Sequence, residues 1–298
     1  MMLKGIILKI LSEYAYVFYE NSLYECKAKG KIRHQNQSPI TGDYVMFEIL
    51  DEINLKGSIE KIVDRKNELY RPRIANVDQV VIITSVKEPD FNSYTLNKYL
   101  AFIEFVNIKP VLAFTKVDLL SKNSDVWALA NEYKKIGYEI YLINNIIETD
   151  KEWQKFIKSL ENKVSVFTGQ TGAGKSTTLN HILPEALEKT QEISKALNRG
   201  KHTTTKNELF MYKNGLIGDT PGFSSFDLKS IEKSELAHSF KFFSDHINDC
   251  KFKDCLHLKE TPGCAITKFV KEGIFPEFIY NDYLKMQNEL NQQPKKRW

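Results

Sequence analysis

The sequence predicts a multidomain chain: a small β-barrel, then an α/β domain on a parallel sheet, then a mainly helical metal-binding segment. Three observations predict it. Residues 1–68 hold five short β-branched and aromatic runs without helical period, and residues 69–226 alternate apolar strands with amphipathic helices. Residues 227–298 crowd three of the four cysteines, Cys250, Cys255 and Cys264, into fifteen positions. A chain of 298 residues is long enough for two or three such domains, each with its own core.

The barrel comes first. Its runs are Gly5–Leu11, Tyr14–Tyr19, Ser22–Cys26, Tyr44–Ile49 and Gly57–Val63, with turn signals at Glu20-Asn21, Gly30, Pro39, Gly42-Asp43 and Asn54 between them. Five strands at this spacing suggest a Greek-key barrel of the OB type, which binds oligonucleotides on one face. Lys27, Lys29, Lys31, Arg33 and His34 form a basic stretch between the third and fourth runs. It is a candidate RNA contact, against the plainer reading of a solvated loop. The net charge of +4 permits a nucleic-acid partner without pointing to one. The fourth cysteine, Cys26, reads as a small core residue. Lys9 and Glu13 break the apolar N-terminal run, so it reads as neither a signal peptide nor a membrane span, and a cytoplasmic protein is expected.

The second segment alternates. Strands are expected at Gln79–Val86, Pro110–Phe114, Glu139–Ile143 and Val164–Phe167, and helices at Tyr94–Phe105, Val126–Ile136 and Trp153–Leu160. Such a series makes a parallel sheet whose strand C-termini share one edge, where ligands bind. After Phe167 the chain reads Gly169-Gln170-Thr171-Gly172-Ala173-Gly174-Lys175-Ser176-Thr177, which fits the phosphate-loop pattern G-x-x-x-x-G-K-[ST]. Glycines let successive backbone N–H groups turn toward phosphate oxygens. Lys175 is placed to reach the β- and γ-phosphates, and Ser176 to ligand Mg²⁺. Leu179, Ile182 and Leu183 recur at helical spacing beyond it, which puts the phosphates at a helix N-terminus.

Two further pieces belong to that edge. Thr115-Lys116-Val117-Asp118 comes directly after the Pro110–Phe114 strand and resembles the guanine-specificity motif N/T-K-x-D. A carboxylate at Asp118 can accept from both guanine N1–H and the 2-amino group, which adenine cannot match, while the Lys116 stem packs over the base. Asp219-Thr220-Pro221-Gly222 comes after a hairpin, Glu208–Tyr212 and Leu216–Asp219, turned at Asn214-Gly215. Asp219 would hold Mg²⁺ through water, and the Gly222 N–H would meet the γ-phosphate. Between them, Lys195–Lys206 (KALNRGKHTTTK) is polar and aperiodic, and Thr203, Thr204 and Thr205 are candidates to sense the γ-phosphate through Mg²⁺. The motif order is unusual: TKVD precedes the phosphate loop. Permuting the chain ends keeps the spatial contacts, and it places the D-x-x-G element at the end of the domain, adjoining the segment after Phe226.

In the last segment, Cys250, Cys255, His257 and Cys264 form C-x₄-C-x-H-x₆-C. Three thiolates and an imidazole close a tetrahedral shell, so a Zn²⁺ here is expected to be structural. Gly263 allows the sharp return to Cys264. Helices are expected at Ser230–Ser244 and Pro276–Leu290, and the tail Lys295-Lys296-Arg297-Trp298 is either an RNA contact or an ordinary terminus.

Together these residues resemble the ribosome small-subunit-dependent GTPase A family (RsgA, YjeQ, YloQ) over essentially the whole chain: barrel, TKVD, GQTGAGKST, HTTT, DTPGF and the Cys-Cys-His-Cys cluster. The resemblance implies a monomeric GTPase that binds GTP and GDP with Mg²⁺ and one structural Zn²⁺. It further implies binding to the small ribosomal subunit and its rRNA late in maturation, stimulated hydrolysis there, and departure after GTP cleavage. By position, Thr204 looks like the switch threonine and His202 like the residue that promotes hydrolysis. The family's base-backing Ser-Ala motif would fall where this chain reads Ile143-Asn144-Asn145, and Thr115 stands where many members have Asn.

Phe223 stands where many GTPases place a water-orienting glutamine, and Phe cannot orient water. The free protein is therefore expected to be slow, with a partner completing the site and His202 swinging in. Three other readings compete: a GTP-gated RNA-binding factor with hydrolysis as a release timer, a P-loop ATPase or nucleotide kinase, and a zinc hydrolase. Base selectivity at Asp118 separates the second, and the filled ligand shell argues against the third.

Overall fold

The structure is a computed structural model that describes residues 1–30, 38–70, 72–146, 150–184, 207–219, 228 and 231–292. The chain divides into two compact units. The first comprises Met1–Gln79, Ile157–Thr168 and Ser176–Phe223, and the second Val80–Phe156, Gly169–Lys175 and Ser224–Trp298.

The first unit opens with β1 (Leu3–Leu11), β2 (Tyr14–Tyr19), β3 (Ser22–Ala28), β4 (Tyr44–Asp51) and β5 (Lys56–Ile62). All five expected strands form, with ends shifted by one or two residues. β1 pairs with both β2 and β4, β2 with β3, β3 with β5 in parallel, and β5 with β4, so the sheet closes on itself. Closure leaves no unpaired edge within the ring. The alternation that predicted the strands fills the barrel: Ile7, Val17, Cys26, Val45, Phe47 and Ile59 are fully buried. Cys26 is the small core residue expected, and burial pushes its thiol up to about 12.

Two three-residue strands that the sequence pattern does not reveal, β6 (Glu68–Tyr70) and β7 (Arg73–Ala75), form a hairpin beside the barrel loop. Asp43, fully buried, accepts from the Arg65 guanidinium through both oxygens, at 2.7 and 2.9 Å. A buried carboxylate needs such a partner. Further along the chain, β11 (Val164–Gly169) pairs in parallel with β13 (Gly215–Asp219), and β13 pairs antiparallel with β12 (Glu208–Tyr212) in the expected hairpin, although its two turn residues are Lys213 and Asn214, both at positive φ, and Gly215 already stands in β13 opposite Tyr212. β12 also pairs with barrel strand β1 at Lys9 and Glu208.

The second unit carries β8 (Gln79–Ser85), β9 (Lys109–Thr115) and β10 (Glu139–Leu142), in sheet order β10-β9-β8. Helices α1 (Ser93–Phe105), α2 (Asp125–Lys135) and α3 (Lys151–Ser159) match the expected ones. Asn92 and Ser124 cap α1 and α2 by accepting from Thr95 and Val126 N–H. α4 (Lys175–Ile182) comes directly after the phosphate loop and, from Ser176 on, belongs to the first unit.

The C-terminal part departs from expectation. The single helix expected over Ser230–Ser244 is two short ones, α5 (Lys233–Ala237) and α6 (Lys241–Asp245). Phe240 adopts extended backbone between them, and the Lys241 N–H donates to Glu104 of α1 at 3.0 Å. The break turns Phe240 and Phe243 together onto Tyr283. α7 (Ala265–Lys271) is additional, and α8 (Glu277–Asn291) matches the last expected helix. α8 is tied to α1 by a buried polar relay. Asp282 accepts from Ser93 Oγ at 2.7 Å and Asn97 Nδ2 at 2.9 Å, and the Tyr133 hydroxyl donates to Asn97 Oδ1 at 2.9 Å. Among the described residues, no helix is long and apolar enough to cross a membrane.

Candidate nucleotide site and metal centre

β11 ends at Gly169, and the chain turns at once into the phosphate loop. Gly169 has φ +152° against the Ile83 backbone, where a Cβ would lie 2.2 Å from the carbonyl oxygen. Gly172 and Gly174 have φ +80° and +89°, the left-handed region that glycine enters without strain. The Ala173 N–H closes a turn onto the Gln170 carbonyl at 3.0 Å. Gln170, Thr171, Ser176 and Thr177 flank the turn on the loop and on the first turn of α4, Ala173 is buried, and Lys175 is half-buried as the first residue of α4.

The guanine motif meets this loop. Thr115, fully buried at the end of β9, donates its hydroxyl to the Ala173 carbonyl at 2.5 Å. A hydroxyl has one proton, and the Thr84 carbonyl at 3.4 Å is the weaker acceptor, so Thr115 spends its donor on the phosphate loop. Lys116 takes left-handed backbone (φ 60°, ψ 32°), and its ammonium donates to the Glu88 carbonyl. This turn presents Asp118 to solvent in a 3-10 turn, Val117–Leu119. In the Ile143–Asn145 stretch, Ile143 is buried in the core, whereas Asn145 Nδ2 lies 3.5 Å from where a Cβ on Gly174 would sit. Asn145 is thus the member of that trio beside the loop.

In the first unit, Asp219 is the last residue of β13 and pairs with Phe167, two residues before Gly169. His202, Thr203, Thr204, Thr205, Gly222 and Phe223 lie outside the described residues, as do Lys31, Arg33, His34 and the tail Lys295–Trp298.

The metal candidates converge. The ligand atoms of Cys250, Cys255, His257 and Cys264 all lie within 4.8 Å of one another. Cys250 Sγ and Cys264 Sγ stand 3.6 and 3.5 Å from His257 Nδ1. Tetrahedral Zn–S and Zn–N bonds put sulfur and nitrogen about 3.6 Å apart, so the cluster has the dimensions zinc requires. Each sulfur also receives one backbone N–H: from Ala265 to Cys250 at 3.4 Å, from His257 to Cys255 at 3.4 Å, and from Thr267 to Cys264 at 3.5 Å. Burial alone would raise the Cys264 thiol, but hydrogen bonds from His257 and Thr267 outweigh it and hold it at about 6. Gly263, at φ +70° and packed on Lys251, makes the expected return. Tyr280 and Tyr283 of α8 donate to the His257 and Leu256 carbonyls at 2.8 and 2.6 Å, fixing the knuckle from behind.

A closed five-stranded barrel, an α/β sheet with its phosphate loop after the guanine motif, and a Cys₃His knuckle define a GTPase with circularly permuted motifs. Comparison with known proteins agrees. Sequence models for the RsgA N-terminal domain and the RsgA GTPase match residues 4–58 and 62–229. The small ribosomal subunit biogenesis GTPase RsgA of Clostridium botulinum is 42% identical over 298 residues, 99% of this chain and 100% of that protein. RsgA 2 of Oceanobacillus iheyensis is 42% identical over 295 residues, 97% and 98% of the two chains. The crystal structure of YloQ, described as a circularly permuted GTPase, superposes with TM-score 0.82 at 33% identity, covering 100% and 98%. YjeQ from Thermotoga maritima gives 0.84 at 32%, covering 99% and 100%. The chain belongs to the RsgA GTPase family; it is a GTP hydrolase that binds guanine nucleotide.

Proposed function

We propose that this GTPase acts late in small ribosomal subunit maturation, hydrolysing GTP when bound to the subunit and leaving afterwards. The observation that carries the reading is the meeting of the guanine and phosphate loops through Thr115 and Ala173, in a chain that also holds a barrel and a metal knuckle. Relatives that match it end to end carry the name small ribosomal subunit biogenesis GTPase. The working division is a barrel at 1–68, a permuted GTPase domain at 69–226 and a zinc domain at 227–298, in a cytoplasmic monomer.

The roles follow from the sequence motifs, with the described residues of the guanine and phosphate loops supporting them. Asp118 reads guanine, with the Lys116 stem over the base and Thr115 acting as the tether. Gly169 to Gly174 turn their N–H groups toward the phosphates, and Lys175 meets the β- and γ-phosphates. Ser176, Thr204 and Asp219 would hold Mg²⁺, with Thr177 at the phosphates, and the ion would supply positive charge to the phosphoryl group. Gly222 offers its N–H to the γ-phosphate. Catalysis of in-line water attack is then positioning and charge stabilisation. With Phe223 unable to orient water, His202 takes that task once rRNA holds the protein. Cys250, Cys255, His257 and Cys264 would hold Zn²⁺, which supplies structure and no reaction step.

The test is His202→Ala. The stimulated rate should fall by roughly 10²- to 10³-fold with GTP affinity kept, as for loss of one preorganised group. An unchanged stimulated rate removes His202 from the mechanism.

A further inference from the structure

One row of the first unit's sheet joins the barrel to the hydrolysis machinery. Lys9 of β1 stands opposite Glu208 of β12, and Glu208 stands opposite Asp219 of β13. Directly opposed residues share a face of a sheet. Lys9 Nζ donates to Glu208 Oε1 at 2.8 Å, with both side chains more than three-quarters buried (23% and 22% exposed).

One residue earlier, Asn207 is gripped from two sides. Its carbonyl accepts from Thr41 Oγ1 at 3.1 Å, and its Nδ2 donates to the Arg73 carbonyl at 3.4 Å. Thr41 is itself buried, and bridges to Ile74. The turn that carries it is stiff: a Cβ on Gly42 would lie 2.3 Å from the Ala75 oxygen, and Asp43 is locked to Arg65. Asn207 comes immediately after the stretch of sequence that contains His202 and Thr204.

We propose that Lys9, Thr41 and Glu208 are positioning residues for hydrolysis, fixing on the barrel both the exit of the threonine segment and the strand that delivers Asp219. The inference rests on the proposed roles of Thr204 and Asp219. The pair fixes the row in register: Lys9 holds Glu208 across β1 and β12, and Glu208 stands opposite Asp219. RNA that displaces β1 or the 38–43 turn therefore acts on hydrolysis with no contact to the nucleotide.

The test uses the full chain with Lys9→Met, Glu208→Gln, the double variant and Thr41→Val. Hydrolysis with saturating small subunits should fall about tenfold in each single variant, an ordinary coupling between sites, while GTP affinity stays within about twofold. The double variant Lys9→Met/Glu208→Gln should be no slower than either single one, because they break one pair. Amide exchange at Leu209–Met211 should rise in all four. A loss in Lys9→Met with none in Glu208→Gln would mean that Lys9 touches RNA directly and would overturn the inference, as would additive losses or unchanged exchange. If the parent protein is not stimulated by subunits at all, the proposed function fails, and the exchange measurement still decides whether the clasp exists.

Discussion

Asp118 shows how much one residue can be asked to decide. The turn begun by left-handed Lys116 presents its carboxylate to solvent, next to a loop that Thr115 holds in place. In Asp118→Asn one acceptor becomes a donor, which mismatches the guanine 2-amino group and suits the 2-oxo group of xanthine. GTP affinity should fall by about 3 kcal/mol, roughly 100-fold, with XTP binding gained, since sites built on hydrogen bonds reject mismatched partners strongly. Competition between GTP and XTP for the variant measures it; retained GTP preference would remove Asp118 from base reading. The spacing of Gly169, Gly174, Lys175 and Ser176 was legible in the sequence because phosphate chemistry tolerates few alternatives there. The tether from Thr115 to Ala173, across 58 positions, was not, because a hydroxyl's partner depends on the fold. Sequence alone casts Thr115 as a nucleotide contact; the structure adds that its buried hydroxyl donates to the Ala173 carbonyl of the phosphate loop.

At the scale of elements, what was legible had length or alternation. The five barrel strands, α1 and α8 repeat their pattern often enough to be read. β6 and β7 have three residues each, and α7 has seven, too few for a period to appear. The break between α5 and α6 depends on Glu104, 137 positions away, which accepts the Lys241 N–H and the Tyr138 hydroxyl. Burial pushes the Glu104 carboxyl up from 4.5 to about 7, although both hydrogen bonds pull it down. A carboxyl whose folded pKa is raised binds its proton more tightly folded than unfolded. Its contribution to stability is therefore full below pH 4.5 and is lost as pH rises toward 7. Glu104→Gln keeps an acceptor and removes the charge. It should gain about 2 kcal/mol over the parent at pH 8 and nothing at or below about pH 4.5 in chemical denaturation. A pH-independent difference would mean that Glu104 ionises freely in the folded protein.

At the scale of the whole molecule, the permuted order has a mechanical meaning. β12 begins on the barrel at Lys9, and β13 ends at Asp219, so the strands around the D-x-x-G element are continuous with the barrel sheet. The motif order could be read from the chain. The pairing that joins Lys9 to Glu208 could not, because neither residue is unusual where it stands. The C-terminal helical segment is anchored by α8 on α1, through Asp282, and gathers the Cys₃His cluster. The nucleotide chemistry of this protein is thus expected to be complete in its binding residues and incomplete in its water-orienting one. The most direct measurement is GTP hydrolysis by the purified chain, alone and with purified small ribosomal subunits, with ATP as the control. Slow turnover alone, strong stimulation by subunits and no ATP turnover are the predicted result. Good GTP turnover without stimulation would contradict the subunit-completed site and the argument from Phe223, and equal turnover of ATP would contradict the reading of Asp118.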